Sequence, residues 1–213
     1  MMNAKQDKSE KRPVVFLDRD GTLNIEAGYI KELENLNLID GAAEAVKRLN
    51  MLGIKAILVT NQTGAARDYY PETHILALNE RLEKLLAEQG AFLDAVYYCP
   101  HLPAPDAKIE KYARVCDCRK PAVGMVEQAY REHDNLDRAL SFVVGDKATD
   151  VELAKNCGAR GVLVETGYGE RVQKGDYQWP VEPDFQARSI SEAVDWIISV
   201  VNENIQETSK KLD

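Results

Sequence analysis

No apolar run in this sequence approaches the roughly 20 residues that a membrane-spanning helix needs. The first thirteen residues, MMNAKQDKSEKRP, hold no apolar stretch of the kind a secretory signal requires. The expectation is therefore neither a membrane partner nor secretion. Positive charge is in deficit: 27 Lys and Arg stand against 35 Asp and Glu, for a net charge of −8. That balance excludes the broad basic face with which proteins grip nucleic-acid backbones, so an anionic ligand must be held by a few local cations or a metal. Cysteine is scarce, at four in 213 residues, and histidine scarcer, at three. With no secretory signal, the four thiols suggest a reducing, cytoplasmic setting, where metal binding or catalysis is favoured over disulfides. Internal repeats and low-complexity blocks are absent, and the length suits one domain, or one core with extensions.

What is present is a repeated alternation. The short apolar runs VVFL (14–17), AILV (56–59), AVYYC (95–99), SFVVG (141–145) and GVLV (161–164) each read as a buried strand. Helical patterns follow. In AAEAVKRLNMLG, Val46, Leu49 and Leu52 recur at helical spacing; in ILALNERLEKLLAEQG, Leu78, Leu82, Leu85 and Leu86 form one stripe that Gly90 stops. Further helices are expected from Ala122 to about Glu132, near Thr149–Asn156, and over SISEAVDWIISVV, where Ser189 and Glu192 suit a capping box. Residues 166–188 read as irregular surface chain. The resulting division is a disordered polar stretch over 1–12, one domain over 13–203 and a polar tail over 204–213. Strands alternating with helices imply an α/β, Rossmann-like three-layer sandwich around a mostly parallel sheet.

In such sheets ligands bind beyond the carboxyl ends of the strands. Polar groups stand there after four of the runs: Asp18 and Asp20, Thr60 and Asn61, Cys99 and His101, Asp146 and Asp150. Asp18 and Asp20 are two apart on extended chain, so both side chains can point the same way, and Gly21 permits a sharp exit. Paired carboxylates repel unless a cation or shared proton relieves them; with Asp146 added, Mg²⁺ is the economical solution. One carboxylate can then attack a phosphoryl group while the other handles protons. Taken alone, the DxDG pattern equally fits an Asp-rich turn, Thr60 a capping residue, and Asp150 a metal ligand, an orienting group or a simple helix-start carboxylate.

The stretch VCDCRKP sets Cys116 and Cys118 against Arg119 and Lys120, which is compatible with a metal site, an anion site or a reactive thiol. Counting Cys99 and His101, three thiolates and an imidazole complete a tetrahedral zinc set with no open position, the mark of a structural site. Zinc would stiffen the loop 99–118 and aim Arg119 and Lys120 at the strand ends, where a lysine neutralises a nucleophile and phosphoryl group and an arginine grips a second anion. Cys157 reads as a small apolar residue, and His74 and His133 as surface or packing residues.

Together these residues resemble the haloacid dehalogenase-like phosphohydrolases, from about Val14 to Gly169. DRDGTLN is similar to the first motif, Thr60 to the second, Lys120 to the third and GDKATD to the fourth. C-x-H…C-x-C-R-K-P resembles the branch that contains heptose bisphosphate phosphatases and histidinol-phosphatase domains. The resemblance implies Asp18 as nucleophile, Asp20 as general acid/base, and Thr60 and Lys120 as phosphate ligands. It implies Mg²⁺ on the Asp18 carboxylate, the Asp20 carbonyl and Asp146, and zinc on Cys99, His101, Cys116 and Cys118. The substrate it implies is a small sugar phosphate, a heptose bisphosphate on the way to surface glycans, with histidinol phosphate as the alternative. Arg119 is the expected selector; Asn24, Tyr29, Asn61 and Arg67 are further expected contacts. Forty positions separate Asp20 from Thr60, too few for a large cap domain, and nothing requires more than a monomer. A zinc-stabilised binding module without activity is the reading from another class, and the presence of Asp18, Asp20, Thr60, Lys120 and Asp146 together counts against it. One departure stands out: Asp68 replaces the glycine expected in this branch.

Overall fold

The computed structural model describes residues 11–210. Six strands, β1 (Arg12–Leu17), β2 (Lys55–Asn61), β3 (Ala95–Cys99), β4 (Leu136–Gly145), β5 (Arg160–Val164) and β6 (Phe185–Ala187), form one sheet in the order β3-β2-β1-β4-β5-β6. All five pairings are parallel. The helices are α1 (Ala42–Met51), α2 (Glu72–Ala87), α3 (Gly124–Glu132), α4 (Ala148–Cys157), α5 (Gly169–Gln173) and α6 (Ile190–Lys210).

The period-two alternation of strand side chains divides the core in two. Val15 and Leu17 of β1 pack with Val46 and Leu49 of α1, Leu78, Leu82 and Leu86 of α2, and Val194 and Ile197 of α6. Val14 and Phe16 face the other way, onto Met125, Val126 and Ala129 of α3 and Leu153 and Ala154 of α4. These side chains are buried, and each Leu, Val or Phe removed from water contributes roughly 1.5–3 kcal/mol. Helices on both faces explain why the strands read as unbroken apolar runs. Between β1 and β2 lie only a short 3₁₀ turn at Leu33–Asn35, its flanking loop and α1, so no large cap is inserted.

The strand order reverses between β1 and β4, and there the sheet leaves its crevice. Leu17 pairs with Val144, so the residues that follow both strands emerge side by side.

Several local expectations differ from the structure. β4 begins at Leu136 rather than near 141; its first half, LDRAL, is only partly buried and carries no apolar run. α3 begins at Gly124, because Arg119 O accepts from Ala122 N (2.9 Å) and Asp117 O from Gly124 N (2.7 Å), a turn that precedes the helix. Pro121 therefore stands ahead of the helix and not in its first turn. Residues 166–188 contain α5 and the edge strand β6, whose three residues are too few for a period to show. α6 continues to Lys210, through positions that composition assigns to a polar tail. Ser189 Oγ accepts from Glu192 N at 3.3 Å, but Glu192 returns to Arg188 N (2.8 Å) instead of Ser189 N. Of the N-terminal stretch expected to be disordered, 1–10 lie outside the described residues, and Arg12 already pairs with Leu136. No helix among the described residues is long and apolar enough to cross a membrane.

Candidate active site

Asp18 N donates to Val144 O at 2.9 Å, which carries the β1–β4 pairing one residue past the strand. Asp146 leaves β4 directly, and Asp150 sits in the first turn of α4; all three aspartates are buried. Carboxylate oxygens of Asp18, Asp146 and Asp150 lie within 4.8 Å of one another, a repulsive arrangement that cations must relieve. Lys120 and Lys147 do so. Lys120 Nζ is 2.8 Å from Asp18 Oδ1 and 2.6 Å from Asp150 Oδ1, and donates to Val59 O at 2.8 Å. Lys147 Nζ is 2.9 Å from Asp146 Oδ1, 3.1 Å from Glu26 Oε2 and 3.8 Å from Asp18 Oδ2, and donates to Asp20 O at 3.3 Å.

These contacts separate the acids. Burial alone would raise the Asp18 carboxyl, but the Lys120 and Lys147 ammonium groups outweigh it and bring it down to about 2. Burial pushes Asp146 up to about 7, with Lys147 opposing. Burial also raises Asp150, against the pull of Lys120. Both lysines lose hydration by burial, yet their facing carboxylates carry them above the ordinary ammonium value.

The Asp18 carboxylate, the Asp20 carbonyl and the Asp146 carboxylate therefore converge on one positive charge, the Lys147 ammonium. Three hard oxygen donors gathered about a cation fit an ion such as Mg²⁺. Gly21 allows the approach: its φ is +85°, and a Cβ there would stand 2.2 Å from Asp146 Oδ2.

Cys99, His101, Cys116 and Cys118 also meet. Cys118 Sγ lies 3.2 Å from Cys99 Sγ, 3.3 Å from Cys116 Sγ and 3.2 Å from His101 Nδ1, and Cys99 Sγ lies 3.5 Å from Cys116 Sγ. A tetrahedral ion with bonds near 2.3 Å holds its ligands about 3.7 Å apart, so the set fits zinc. Gly124 closes against this loop, since a Cβ there would meet Asp117 O at 2.5 Å. A groove of about 810 Å³, lined in part by Tyr69, Tyr70, Tyr98 and Tyr112, opens beside the loop and includes none of Asp18, Asp20, Asp146 and Asp150.

A HAD-hydrolase-like family model matches residues 117–193. The D-glycero-D-manno-heptose-1,7-bisphosphate 7-phosphatase of Thermosynechococcus vestitus is 52% identical over 188 residues, 87% of this chain and 95% of that protein. The chain belongs to the haloacid dehalogenase-like hydrolases. The D-glycero-beta-D-manno-heptose-1,7-bisphosphate 7-phosphatase of Escherichia coli K12 is 38% identical over 189 residues, 88% of each chain. Among solved structures, the D,D-heptose 1,7-bisphosphate phosphatase from B. bronchiseptica, complexed with magnesium and phosphate, superposes with a TM-score of 0.75 at 28% identity, over 88% of this chain and 98% of that one.

Within this haloacid dehalogenase-like site, several expected substrate contacts are occupied by the protein itself. Asn24 is fully buried and donates to Asp20 Oδ1 (3.0 Å) and Ile25 O (2.9 Å). Asn61 accepts from Lys120 N (3.0 Å) and donates to Lys120 O (3.1 Å), so it clasps the Lys120 backbone. Arg119 Nη1 donates to His101 O at 3.3 Å, which ties it to the Cys/His loop. Tyr29 is partly exposed, 3.3 Å from Thr63 Oγ1, and Arg67 lies 4.0 Å from Asp106. Asp68, standing where glycine was expected, has φ 60°; the left-handed backbone that favours glycine is kept, and Asp is among the residues that tolerate it. Residue-by-residue reading passed over Arg19, Glu26, Gln62 and Lys147. Arg19 lies inside DRDG and Lys147 inside GDKATD, but only the folded contacts show which groups they meet.

Proposed function

We propose that this protein is a Mg²⁺-dependent phosphatase that removes the 7-phosphate of D-glycero-D-manno-heptose 1,7-bisphosphate. The carrying observation is the strand-end cluster in which Asp18, held ionised, stands against Lys120 and shares one cation position with Asp20 O and Asp146. The activity of the relatives just described supports the substrate. Asp18, Asp20 O and Asp146 would hold Mg²⁺, which supplies charge neutralisation to the phosphoryl oxygens.

In this reading an Asp18 carboxylate oxygen attacks phosphorus and the bond to the sugar oxygen breaks. Asp20 gives that oxygen its proton, leaving an aspartyl-phosphate on Asp18. Asp20 then takes a proton from the water that attacks phosphorus, and inorganic phosphate leaves with Asp18 restored. Lys120 stabilises the charge on Asp18 and on the transferring group, and the Thr60 hydroxyl donates to a phosphoryl oxygen. Cys99, His101, Cys116 and Cys118 hold a structural zinc, whose thiolates need the reducing cytosol. Arg119 grips the phosphate that remains.

A phosphate-release panel tests the reading. Heptose 1,7-bisphosphate should be hydrolysed far faster than histidinol phosphate or hexose monophosphates, and Asp18→Asn or Asp20→Asn should bring release to background. Preference for histidinol phosphate would reassign the substrate; full activity of Asp18→Asn would sink the mechanism.

A further inference from the structure

Arg19 lies between the two aspartates of DRDG, and its side chain heads the largest fully buried ones, with 1% exposed. Each of its three nitrogens is engaged: Nε and Nη2 on the Asp20 carboxylate at 3.0–3.2 Å, Nη1 on Asn79 Oδ1 at 3.1 Å, and Nη2 on Gln62 Oε1 at 2.8 Å. A guanidinium has no acceptor, so the Gln62 atom that faces it must be the carbonyl oxygen. The amide orientation of Gln62 is thereby decided by chemistry.

Its NH₂ then points the other way, with two hydrogens and two partners: Asp20 Oδ2 at 2.7 Å and Thr60 Oγ1 at 3.0 Å. An amide nitrogen only donates, so the Thr60 oxygen accepts and its single hydroxyl hydrogen is left to donate elsewhere. Gln62 is itself buried, with 4% exposed.

We propose that Gln62, oriented by Arg19, is a positioning residue that sets the Asp20 carboxylate and the Thr60 hydroxyl at the same time. The proposal rests on the reading of Asp20 as general acid/base given above. One amide thus aligns the proton-transfer group with a donor to the phosphoryl oxygen. Its loss should slow the chemical step and leave substrate binding nearly intact. Only the acid step depends on the leaving group, since a sugar alkoxide needs a proton from Asp20 and p-nitrophenolate does not, whereas the water step and the Thr60 donor serve both esters.

The test compares Gln62→Met and Gln62→Glu with the wild type on heptose 1,7-bisphosphate and on p-nitrophenyl phosphate, in the Mg²⁺-loaded full chain. Gln62→Glu keeps Arg19 paired but presents only acceptors to Asp20 and Thr60, so it remains informative where Gln62→Met fails to fold. The expected result is a fall of roughly tenfold to hundredfold in the single-turnover rate of aspartyl-phosphate formation from the sugar phosphate, little change in KM, and a smaller fall in that rate from the aryl ester. Equal losses on both substrates at an unchanged melting temperature, or no loss, would overturn the proposal. Asp20→Asn, run alongside, separates the two levels. Inactive Asp20→Asn with an unchanged substrate ratio in both Gln62 variants removes only the Gln62 proposal. Active Asp20→Asn removes the reading beneath it.

Discussion

The Lys147 ammonium lies 2.9 Å from Asp146 Oδ1, the side chain that precedes it in the chain, and so places a cation among the oxygens expected to receive the metal. In chelated protein, Lys147→Met leaves Asp18, Asp146 and Asp150 with Lys120 as their main counter-charge. A buried charge-assisted contact of this kind is worth about 2 kcal/mol, or roughly 4–8 °C in a chain of this size. Thermal melts should show that drop without metal and a larger Mg²⁺-induced gain than in the wild type. Identical melts in both conditions would mean that Lys147 contributes nothing to balancing the acids.

Apparent Mg²⁺ affinity should depend on pH through Asp146. Burial, opposed by Lys147, raises this carboxyl to about 7, so below that value a proton competes with the ion. Affinity should weaken up to about tenfold per pH unit below 7 and level off above it. In metal-free protein the same raised value favours the folded state at low pH, and that contribution is lost as pH rises through about 7. Asp18, depressed to about 2 by Lys120 and Lys147 against burial, acts in the opposite sense: its stabilisation is present above the unfolded value of 3.8 and lost as pH falls toward 2. Calorimetric Mg²⁺ titrations over roughly pH 5 to 8 read the first effect, and a flat profile contradicts the Asp146 assignment.

Reduced, chelator-free protein should carry about one zinc per chain. Cys116→Ser should loosen the ion, lower the melting temperature and reduce phosphatase activity, because Lys120 follows the last thiolate by two positions. Elemental analysis that finds no zinc would falsify the structural-metal reading.

Arg119→Ala should damage turnover of the bisphosphate more than that of p-nitrophenyl phosphate. Arg119 is anchored on His101 O at 3.3 Å, and an arginine–phosphate pair contributes about 1.5–3 kcal/mol. The expected change is roughly tenfold to hundredfold in kcat/KM for the bisphosphate. Equal losses on both esters would make Arg119 non-selective.

The central strands were legible because parallel strands covered by helices on both faces must be continuously apolar. β6 was not: Phe185–Ala187 is three residues long and gains its place from pairing with β5. The first half of β4 was hidden for a similar reason, since LDRAL pairs only at its start, with Arg12, and is only partly buried. At the site, the strand-end rule located Asp18, Asp20, Thr60 and Asp146, because a buried parallel strand can present polar groups only where it ends.

What the sequence determined by itself was residue chemistry at fixed distances along the chain: aspartates two apart, three cysteines and a histidine, apolar runs at regular intervals. Those choices are local, and physical chemistry acts on them locally. Tertiary structure decided the rest, because contact geometry depends on which strand ends become neighbours. The sheet order set Asp146 beside Asp18, turned Asn61 onto the Lys120 backbone, and brought Lys147 onto the oxygens of Asp18 and Asp20. It also closed Arg19 onto Gln62 at 2.8 Å, across 43 positions of chain, a pairing that no period or spacing encodes.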